Sequence, residues 1–346
     1  MRNEPIRVGV VGAGANTCLT HIPGLKAIQG VEIVSVANRS RESGERVARE
    51  FGISTVYDNW LELVEADDTD AICIGTWPYL HCPVTLAALE SGKHVLCEAR
   101  MAMNAAEAHA MLEAARQDPH LVTQVVPAPH TLAIDGTIQK LIAHGYLGEV
   151  LAVEIRAVQT TFADRESPPH WRQEADLSGF NTLTMGIWYE AMMRWVGPAS
   201  RVMAMTKVCV PQRKDLTGLL QTVTIPDHVD IIATLACGAI AHLRFSAVTG
   251  LAPTNEVWLF GTEGTLRLDT STLELYGGRR RDTAQQKIVI PPEEQGRWRV
   301  EEEFINAIRG KEKITRTSFE DGVRYMEFTE AAIRSAQSGQ AISLPL

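Results

Sequence analysis

The residues best placed to do chemistry lie near the start of the chain. An apolar run, Ile6–Val11, leads straight into Gly12-Ala13-Gly14-Ala15-Asn16-Thr17. Glycine tolerates the positive φ of a tight strand-to-helix turn and lets backbone amides approach a ligand closely. A helix beginning there offers unpaired N–H groups and the positive end of its dipole to an anion. Two glycines so placed predict a cradle for the pyrophosphate of a dinucleotide, built from Gly12, Ala13, Gly14, Ala15 and Asn16. The third small position of such a loop is Thr17 here, a departure from the usual Gly or Ala. About 20 residues beyond the loop, an NAD site usually offers Asp or Glu to the adenosine ribose. This chain offers Asn38-Arg39-Ser40 at the end of its second apolar run. Asn38 does not repel a 2′-phosphate, and Arg39 and Ser40 can bind one. The expected cofactor is therefore NADP or NAD, with NADP favoured. The alternative is that Arg39 stacks on the adenine and either cofactor binds.

The elements that position this loop follow from periodicity. Apolar runs at Ile6–Val11, Val31–Ala37, Ala71–Gly75, His94–Cys97 and Leu121–Val126 alternate with helical patterns at Ile22–Ile28, Arg41–Phe51, Trp60–Glu65, Cys82–Ser91 and Ala105–Arg116. Fully apolar strands separated by helices predict a parallel sheet covered on both faces, a Rossmann domain over residues 1–126. After Pro127 a helix, Leu132–His144, gives way to alternating runs at Val150–Gln159, Ser200–Lys207, Val229–Leu235, Ala239–Ser246, Glu256–Phe260 and Thr265–Asp269. These predict a large, mostly antiparallel open sheet in an α+β domain spanning 127–346. An apolar helix at Thr182–Val196 interrupts it, a helical pair at Glu301–Arg309 and Phe319–Ser338 closes the chain, and the polar stretch Thr270–Gln295, rich in Arg and Gly, is expected to contain a mobile loop.

A formal charge of −9 argues against a nucleic-acid or anionic-membrane binder. No apolar run approaches a membrane span. The first residues enter a strand at once, leaving no room for a signal peptide. The six cysteines are scattered with no CxxC pair, so the expectation is a reduced, cytoplasmic protein without disulfides or zinc. The histidines show no metal-ligand spacing, so no metal is expected, and no GxSxG elbow is present.

Read together with the loop and Asn38-Arg39-Ser40, further segments resemble the Gfo/Idh/MocA family, which includes glucose–fructose oxidoreductase and inositol dehydrogenase. The segment Ile72-Cys73-Ile74-Gly75-Thr76-Trp77-Pro78-Tyr79-Leu80-His81 resembles the family's strand ending in a Thr/Pro-rich turn and a His. It is followed by the family-like Ala87 to Glu98, and later by Gly261-Thr262-Glu263-Gly264-Thr265 and the closing helices. The resemblance covers nearly the whole chain. It implies a Rossmann domain followed by a domain with a large open sheet, and a sugar, sugar acid or polyol-like substrate. It also implies a homodimer or homotetramer formed through that sheet. Thr76, Trp77, His81, Glu98 and Arg100 then fall on the cofactor side, with Glu98 matching the residue that contacts the nicotinamide ribose in relatives.

The chain departs from the family where the chemistry is done. The family's Glu-Lys-Pro reads Glu98-Ala99-Arg100 here, so the ammonium that polarises the reacting hydroxyl is gone, and the guanidinium of Arg100 cannot release a proton at neutral pH. The family's Asp and His, four residues apart on one helix face, are Thr184 and Trp188. Alcohol oxidation by hydride loss needs a base near the hydroxyl. The replacements on offer are Tyr189, His81 and His170, the last preceding Trp171-Arg172, which resembles a substrate-contacting Trp-Arg pair in relatives. Trp77, Trp171 and Trp188 together would line a sugar site, with Arg172, Thr184 and Tyr189 as its polar contacts. Glu190 would face solvent or an interface. Two other readings stay open: a non-redox or NAD-recycling hydrolase, lyase or hydratase on the same scaffold, and a cofactor-binding protein without catalysis.

Overall fold

The computed structural model describes residues 4–253 and 255–346. Residues up to Pro127 together with Arg299–Val323 form one compact unit; Ala128–Trp298 with Arg324–Leu346 form a second. The stretch Arg299–Val323, assigned from sequence to the second domain, therefore belongs to the first. Its packing is long-range in sequence: Gln124 Nε2 donates to Glu303 Oε2 at 2.8 Å, and the Val125 N–H donates to the Thr317 carbonyl.

The first unit carries six parallel strands: β1 (Ile6–Val11), β2 (Val31–Ala37), β3 (Thr55–Tyr57), β4 (Ala71–Ile74), β5 (His94–Cys97) and β6 (Thr123–Val125). Their order is β3-β2-β1-β4-β5-β6. Reversal of the strand order between β1 and β4 opens a crevice at their carboxyl ends, where α/β sheets bind nucleotides. Val8, Val10 and Ile72 are fully buried, because helices cover both faces. Those helices are α1 (Ile22–Lys26), α2 (Arg41–Phe51), α3 (Trp60–Glu65), α4 (His81–Glu90) and α5 (Ala105–Gln117). α1 is the end of a longer helical segment that starts just after Gly14 and passes through a wide π-type turn at Thr17–His21.

The loop geometry explains the unusual Thr17. Gly12 has φ +84°, and a Cβ there would lie 2.8 Å from the Thr76 amide nitrogen. Thr17 is buried, and its hydroxyl donates to the Gly12 carbonyl at 3.2 Å. The room for its side chain comes from Gly75 at the end of β4. The close helix–strand approach usually given by a third loop glycine is supplied from the opposite side.

The second unit holds α6 (Leu132–Ala143), β7 (Val150–Val158), α7 (Ala175–Ser178), α8 (Met185–Val196), β8 (Ala199–Lys207), the hairpin β9 (Gln212–Lys214) and β10 (Leu220–Thr222), β11 (His228–Leu235), β12 (Ile240–Ser246), β13 (Glu256–Gly261), β14 (Gly264–Asp269), β15 (Glu274–Arg279), β16 (Gln286–Ile288) and β17 (Ile342–Ser343). The short helix α9 (Val300–Ile308) belongs to the first unit, and the chain returns to the second within α10 (Phe319–Ser338). Nine strands form one sheet ordered β16-β15-β14-β13-β7-β12-β11-β8-β17. All its neighbours pair antiparallel except β12 with β7. Alternation is strict along β12, where Ala241, Leu243 and Phe245 are buried while Ile240, His242 and Arg244 are exposed.

The stretch Thr270–Gln295 also contains β15 and β16, which its composition does not signal. The inward positions of β15 are Leu275 and Gly277, so half of the apolar alternation is missing from the sequence. A Cβ on Gly277 would meet the Tyr146 hydroxyl at 2.5 Å, and the tyrosine fills the place of the side chain.

A Cβ on Gly75 would lie 2.0 Å from Thr17 Oγ1 and 2.5 Å from the Gly12 carbonyl oxygen. Gly75→Ala is therefore expected to destabilise the chain by about 1–3 kcal/mol through overpacking. Pairing it with Thr17→Ala should recover part of that loss. Thermal unfolding of the two variants checks this, and equal melting temperatures for Gly75→Ala and wild type would refute the contact.

Candidate functional site

In the first unit, a cleft of about 530 Å³ opens at the carboxyl ends of β1, β2 and β4. Gly12, Ala13 and Gly14 form its floor. A Cβ added to Gly14 would meet only the Gly75 carbonyl oxygen, at 4.0 Å, so the backbone there faces open space that a ligand can fill. The first intrahelical bond runs from the Cys18 N–H to the Gly14 carbonyl. The amides of Ala15 and Asn16 precede it, as an anion cradle requires. This part fits a pyrophosphate.

The adenosine end is built differently from its sequence pattern. Asn38 Oδ1 accepts from the Ala13 N–H at 2.7 Å, and its Nδ2 donates to Ser43 Oγ at 3.1 Å. Asn38 lines the cleft, but its side chain is engaged in bracing the loop. Ser40 caps α2, its hydroxyl accepting from the Ser43 N–H at 3.3 Å. The serine on the cleft wall is Ser43, one turn on. Arg39 is exposed and also lines the cleft. Asp58, Asn59 and Trp60 complete that end. Asp58 is offset by Arg41 Nη1 at 2.7 Å. These three follow β3, which is only three residues long and left no readable strand signal in the sequence.

Thr76, Trp77, Tyr79 and Leu80 form the wall beside β4. His81, a sequence candidate for proton transfer, is fully buried instead. Its Nδ1 and Nε2 lie 2.8 Å and 2.9 Å from the carbonyl oxygens of Arg100 and Thr76. Burial holds its pKa below the usual histidine range, with the carbonyls opposing in part. His81 fastens the turn after β4 to the turn after β5 and presents no ring nitrogen to a ligand. Arg100 is 6% exposed, so its guanidinium is not spread on the cleft wall as expected. The Ala99–Arg100 peptide is cis.

Glu98 sits against the loop. Its Oε1 accepts from Asn16 Nδ2 and from His21 Nε2, the latter at 2.9 Å, and its Oε2 accepts from the Ala99 N–H at 2.9 Å. His21 Nδ1 lies 2.6 Å from Glu301 Oε1. Burial pushes the Glu98 carboxyl pKa up, but its bonds and its attraction to His21 outweigh that and hold it low. Neither His21 nor Glu301 was singled out in the sequence. A lone His among apolar residues and one Glu in a run of three give no local signal.

In the second unit, Tyr189 is 1% exposed, and its ring stacks on Phe328 with centroids 3.7 Å apart. Its hydroxyl accepts from the Ala199 N–H at 2.9 Å. Burial raises the phenol pKa well above its usual range. Tyr189 is a core residue, not an acid or base. Glu190 does not face solvent either. It accepts from the Ala128 N–H, and Arg194 Nη1 donates to its Oε1 at 2.6 Å. Arg194 Nε lies 2.9 Å from Asp135 Oδ2 as well, so one cation serves two buried carboxylates.

Trp188 is 6% exposed beneath the ring of the exposed His130, at 5.9 Å between centroids and 19° between planes. Thr184, half-buried, precedes α8 and accepts through its carbonyl from the Trp188 N–H. His170 is exposed and caps a single 3-10 turn, its Nδ1 accepting from the Arg172 N–H. Arg172 lies over the Trp171 ring at 4.2 Å, and the His170 ring tilts against the same indole. Among the three tryptophans expected to line a sugar site, Trp77 faces the nucleotide cleft and Trp188 is largely covered.

Residues 6–125 match the profile described as an oxidoreductase family with an NAD-binding Rossmann fold, and residues 136–267 match the GFO/IDH/MocA C-terminal domain. The chain belongs to the Gfo/Idh/MocA oxidoreductase family. It is 28% identical over 345 residues to dTDP-3,4-didehydro-2,6-dideoxy-alpha-D-glucose 3-reductase of Streptomyces antibioticus, covering 97% of this chain and 99% of that protein. It is 28% identical to 1,5-anhydro-D-fructose reductase of Ensifer adhaerens, covering 98% of each. Levoglucosan dehydrogenase in complex with NADH and L-sorbose shares the fold at a TM-score of 0.85 and 22% identity, over 98% of this chain and 99% of that one. No group of His, Cys, Asp and Glu able to hold a metal is found among the described residues.

Tyr189→Phe removes one buried hydrogen bond and is expected to cost about 1 kcal/mol of stability. Turnover should change by no more than a few-fold. Loss of roughly a hundredfold or more in kcat, the scale of a missing acid or base, in a variant that still melts cooperatively would return Tyr189 to the chemistry.

Proposed function

We propose that this chain is an NAD(P)-dependent oxidoreductase that interconverts a hydroxyl and a carbonyl on a sugar, sugar acid or polyol-like substrate. The observation that carries the reading is the loop cradle: an open backbone at Gly14 and a helix start, at the strand-order reversal of a six-stranded parallel sheet. A bound nicotinamide supplies the hydride acceptor or donor. Gly12–Asn16 hold the pyrophosphate, and Glu98 receives ribose hydroxyls. The whole-length relatives that reduce sugar-like carbonyls support a carbohydrate substrate, and they favour redox turnover over a lyase, hydrolase or purely binding role.

With Tyr189 and His81 built into the interior, His130 and His170 are the exposed imidazoles that stand beside Trp188 and Trp171 on the second unit. Burial lowers the pKa of each, and Arg172 lowers that of His170 further, so both are neutral bases at neutral pH. The indoles of Trp171 and Trp188 beside them suit the apolar face of a sugar ring.

NADP is the favoured cofactor. No carboxylate stands at the end of β2, Arg39 is exposed on the cleft wall, and Ser43 lies beside it. A second copy of this chain is proposed to cover the outer face of the large sheet, where Met203, Met205, Ile232 and Ile240 are exposed side by side on β8, β11 and β12. All six cysteines are free, in keeping with a reducing, cytoplasmic setting. No helix among the described residues is long and apolar enough to cross a membrane.

Titration of the protein with NADH and NADPH tests the cofactor reading. Both should bind, NADPH more tightly. Arg39→Ala should weaken NADPH by roughly tenfold or more, the scale of a charged hydrogen bond, and change NADH little. Binding of neither would overturn the reading, and an equal loss for both would remove Arg39 from 2′-phosphate recognition. Light scattering should give at least twice the protomer mass; a monomer at micromolar concentration would overturn the proposed contact.

A further inference from the structure

The buried His21 has no role in the cradle itself, yet it is the most strongly engaged histidine of the first unit. It lies at the end of the π-type turn, a helical irregularity frequent at functional sites. Its two ring nitrogens meet carboxylates from opposite ends of the sequence, Glu98 at 2.9 Å and Glu301 at 2.6 Å. A carboxylate only accepts, so both nitrogens donate and the ring is an imidazolium. The fold makes room for this arrangement: a Cβ on Gly24, at the centre of α1, would lie 2.9 Å from the Glu301 carboxyl carbon.

The two carboxylates are not equivalent. The Glu301 side chain is 5% exposed, while that of Glu98 is 13% exposed and reaches Asn16 at the edge of the pyrophosphate loop. An anion in this position repels phosphate, so the ligand groups it suits are neutral donors, the hydroxyls of a ribose. We propose that His21, braced by Glu301, is a positioning residue that keeps Glu98 ionised and fixed for the hydroxyls of the nicotinamide ribose. The proposal rests on the cofactor reading above.

Burial alone would lower the pKa of His21. The hydrogen bonds and charges of Glu301 and Glu98 outweigh it and raise the pKa to about 9. The ionisable groups around the pair are Glu98 from the turn after β5 and Glu301 from α9. Burial pushes up the thiols of Cys73 on β4 and Cys97 on β5, and the charge of Glu98 adds to it; Glu98 also acts weakly on the buried His81 of α4. The raised pKa means that the imidazolium's stabilising effect is complete below about 6.5 and is lost as pH rises through about 9. Dinucleotide affinity should follow the same course, because the neutral ring can donate to only one of the two carboxylates.

The test compares wild type and His21→Gln by calorimetric titration with NADH, NADPH and ADP between pH 7 and 10. ADP carries the adenosine and pyrophosphate but lacks the nicotinamide ribose. His21→Gln is expected to weaken both reduced dinucleotides by roughly tenfold at pH 7, the scale of one charge-assisted hydrogen bond, and to leave ADP unchanged. Wild-type affinity for the dinucleotides should fall as pH passes about 9, with ADP flat. If the variant does not fold, the wild-type pH series decides by itself. Dinucleotide binding by His21→Gln equal to wild type, a wild-type series flat through pH 10, or an equal loss of ADP would overturn the role of His21. Wild type that binds ADP but neither dinucleotide would overturn the cofactor reading instead, and the proposal with it.

Discussion

The nucleotide cleft depends on how closely two stretches of backbone pass each other at the strand-order reversal. Gly12 and Gly75 end adjacent strands, and Thr17 is wedged between them with its hydroxyl on the Gly12 carbonyl. No Cβ fits at Gly12 or Gly75, so neither side can change alone. That contact sets where the helix begins, and hence where the amides of Ala15 and Asn16 sit. Asn38 completes it by accepting from the Ala13 N–H and donating to Ser43, which joins the loop to α2. The residue that distinguishes this chain from an ordinary NAD pattern is thus also part of its scaffold.

Buried charge is the second organising theme, and both units treat it alike. Burying an ionised group is expensive unless it is paired and hydrogen-bonded. His21 shares its protons between Glu98 and Glu301, and Arg194 spans Glu190 and Asp135. In each case one cation holds two carboxylates that come from different elements. The cluster in the first unit borders the loop, which gives it a ligand to act on. The cluster in the second unit ties α6 to α8 and fixes the helix that follows Thr184 and carries Trp188.

The aromatic side chains of α8 fit the same pattern of burial. On α8, Trp188 is buried with the ring of His130 stacked on it, and the neighbouring Tyr189 is stacked on Phe328. Tyr189, with its hydroxyl on the Ala199 N–H, therefore offers α8 no acid or base for a ligand. Tyr189 and Glu190 are buried, and the exposed His130 and His170 stand on the segments leading up to the helix.

By itself, the sequence determined the architecture and the cradle. Apolar strands alternating with helices, and two glycines after the first strand, follow from local backbone preference and periodicity, which are written residue by residue. The turn at Gly12 and Gly14 was legible for that reason, whereas Thr76 and Trp77, which also line the cleft, were placed only by the family resemblance. Only the tertiary structure decided which reactive types were accessible. Tyr189, His81 and Ser40 have the right chemistry in isolation, but each has its polar atoms committed to a backbone partner that cannot be read from spacing. The strand at Glu274–Arg279 was hidden because Tyr146 fills the space of a missing side chain at Gly277, and that at Gln286–Ile288 because it is three residues long and mostly exposed. The return of Arg299–Val323 to the first unit, and with it the meeting of Glu301 and His21, was invisible for the same physical reason. Contacts between residues some 280 positions apart arise from packing and leave no periodic trace in the chain.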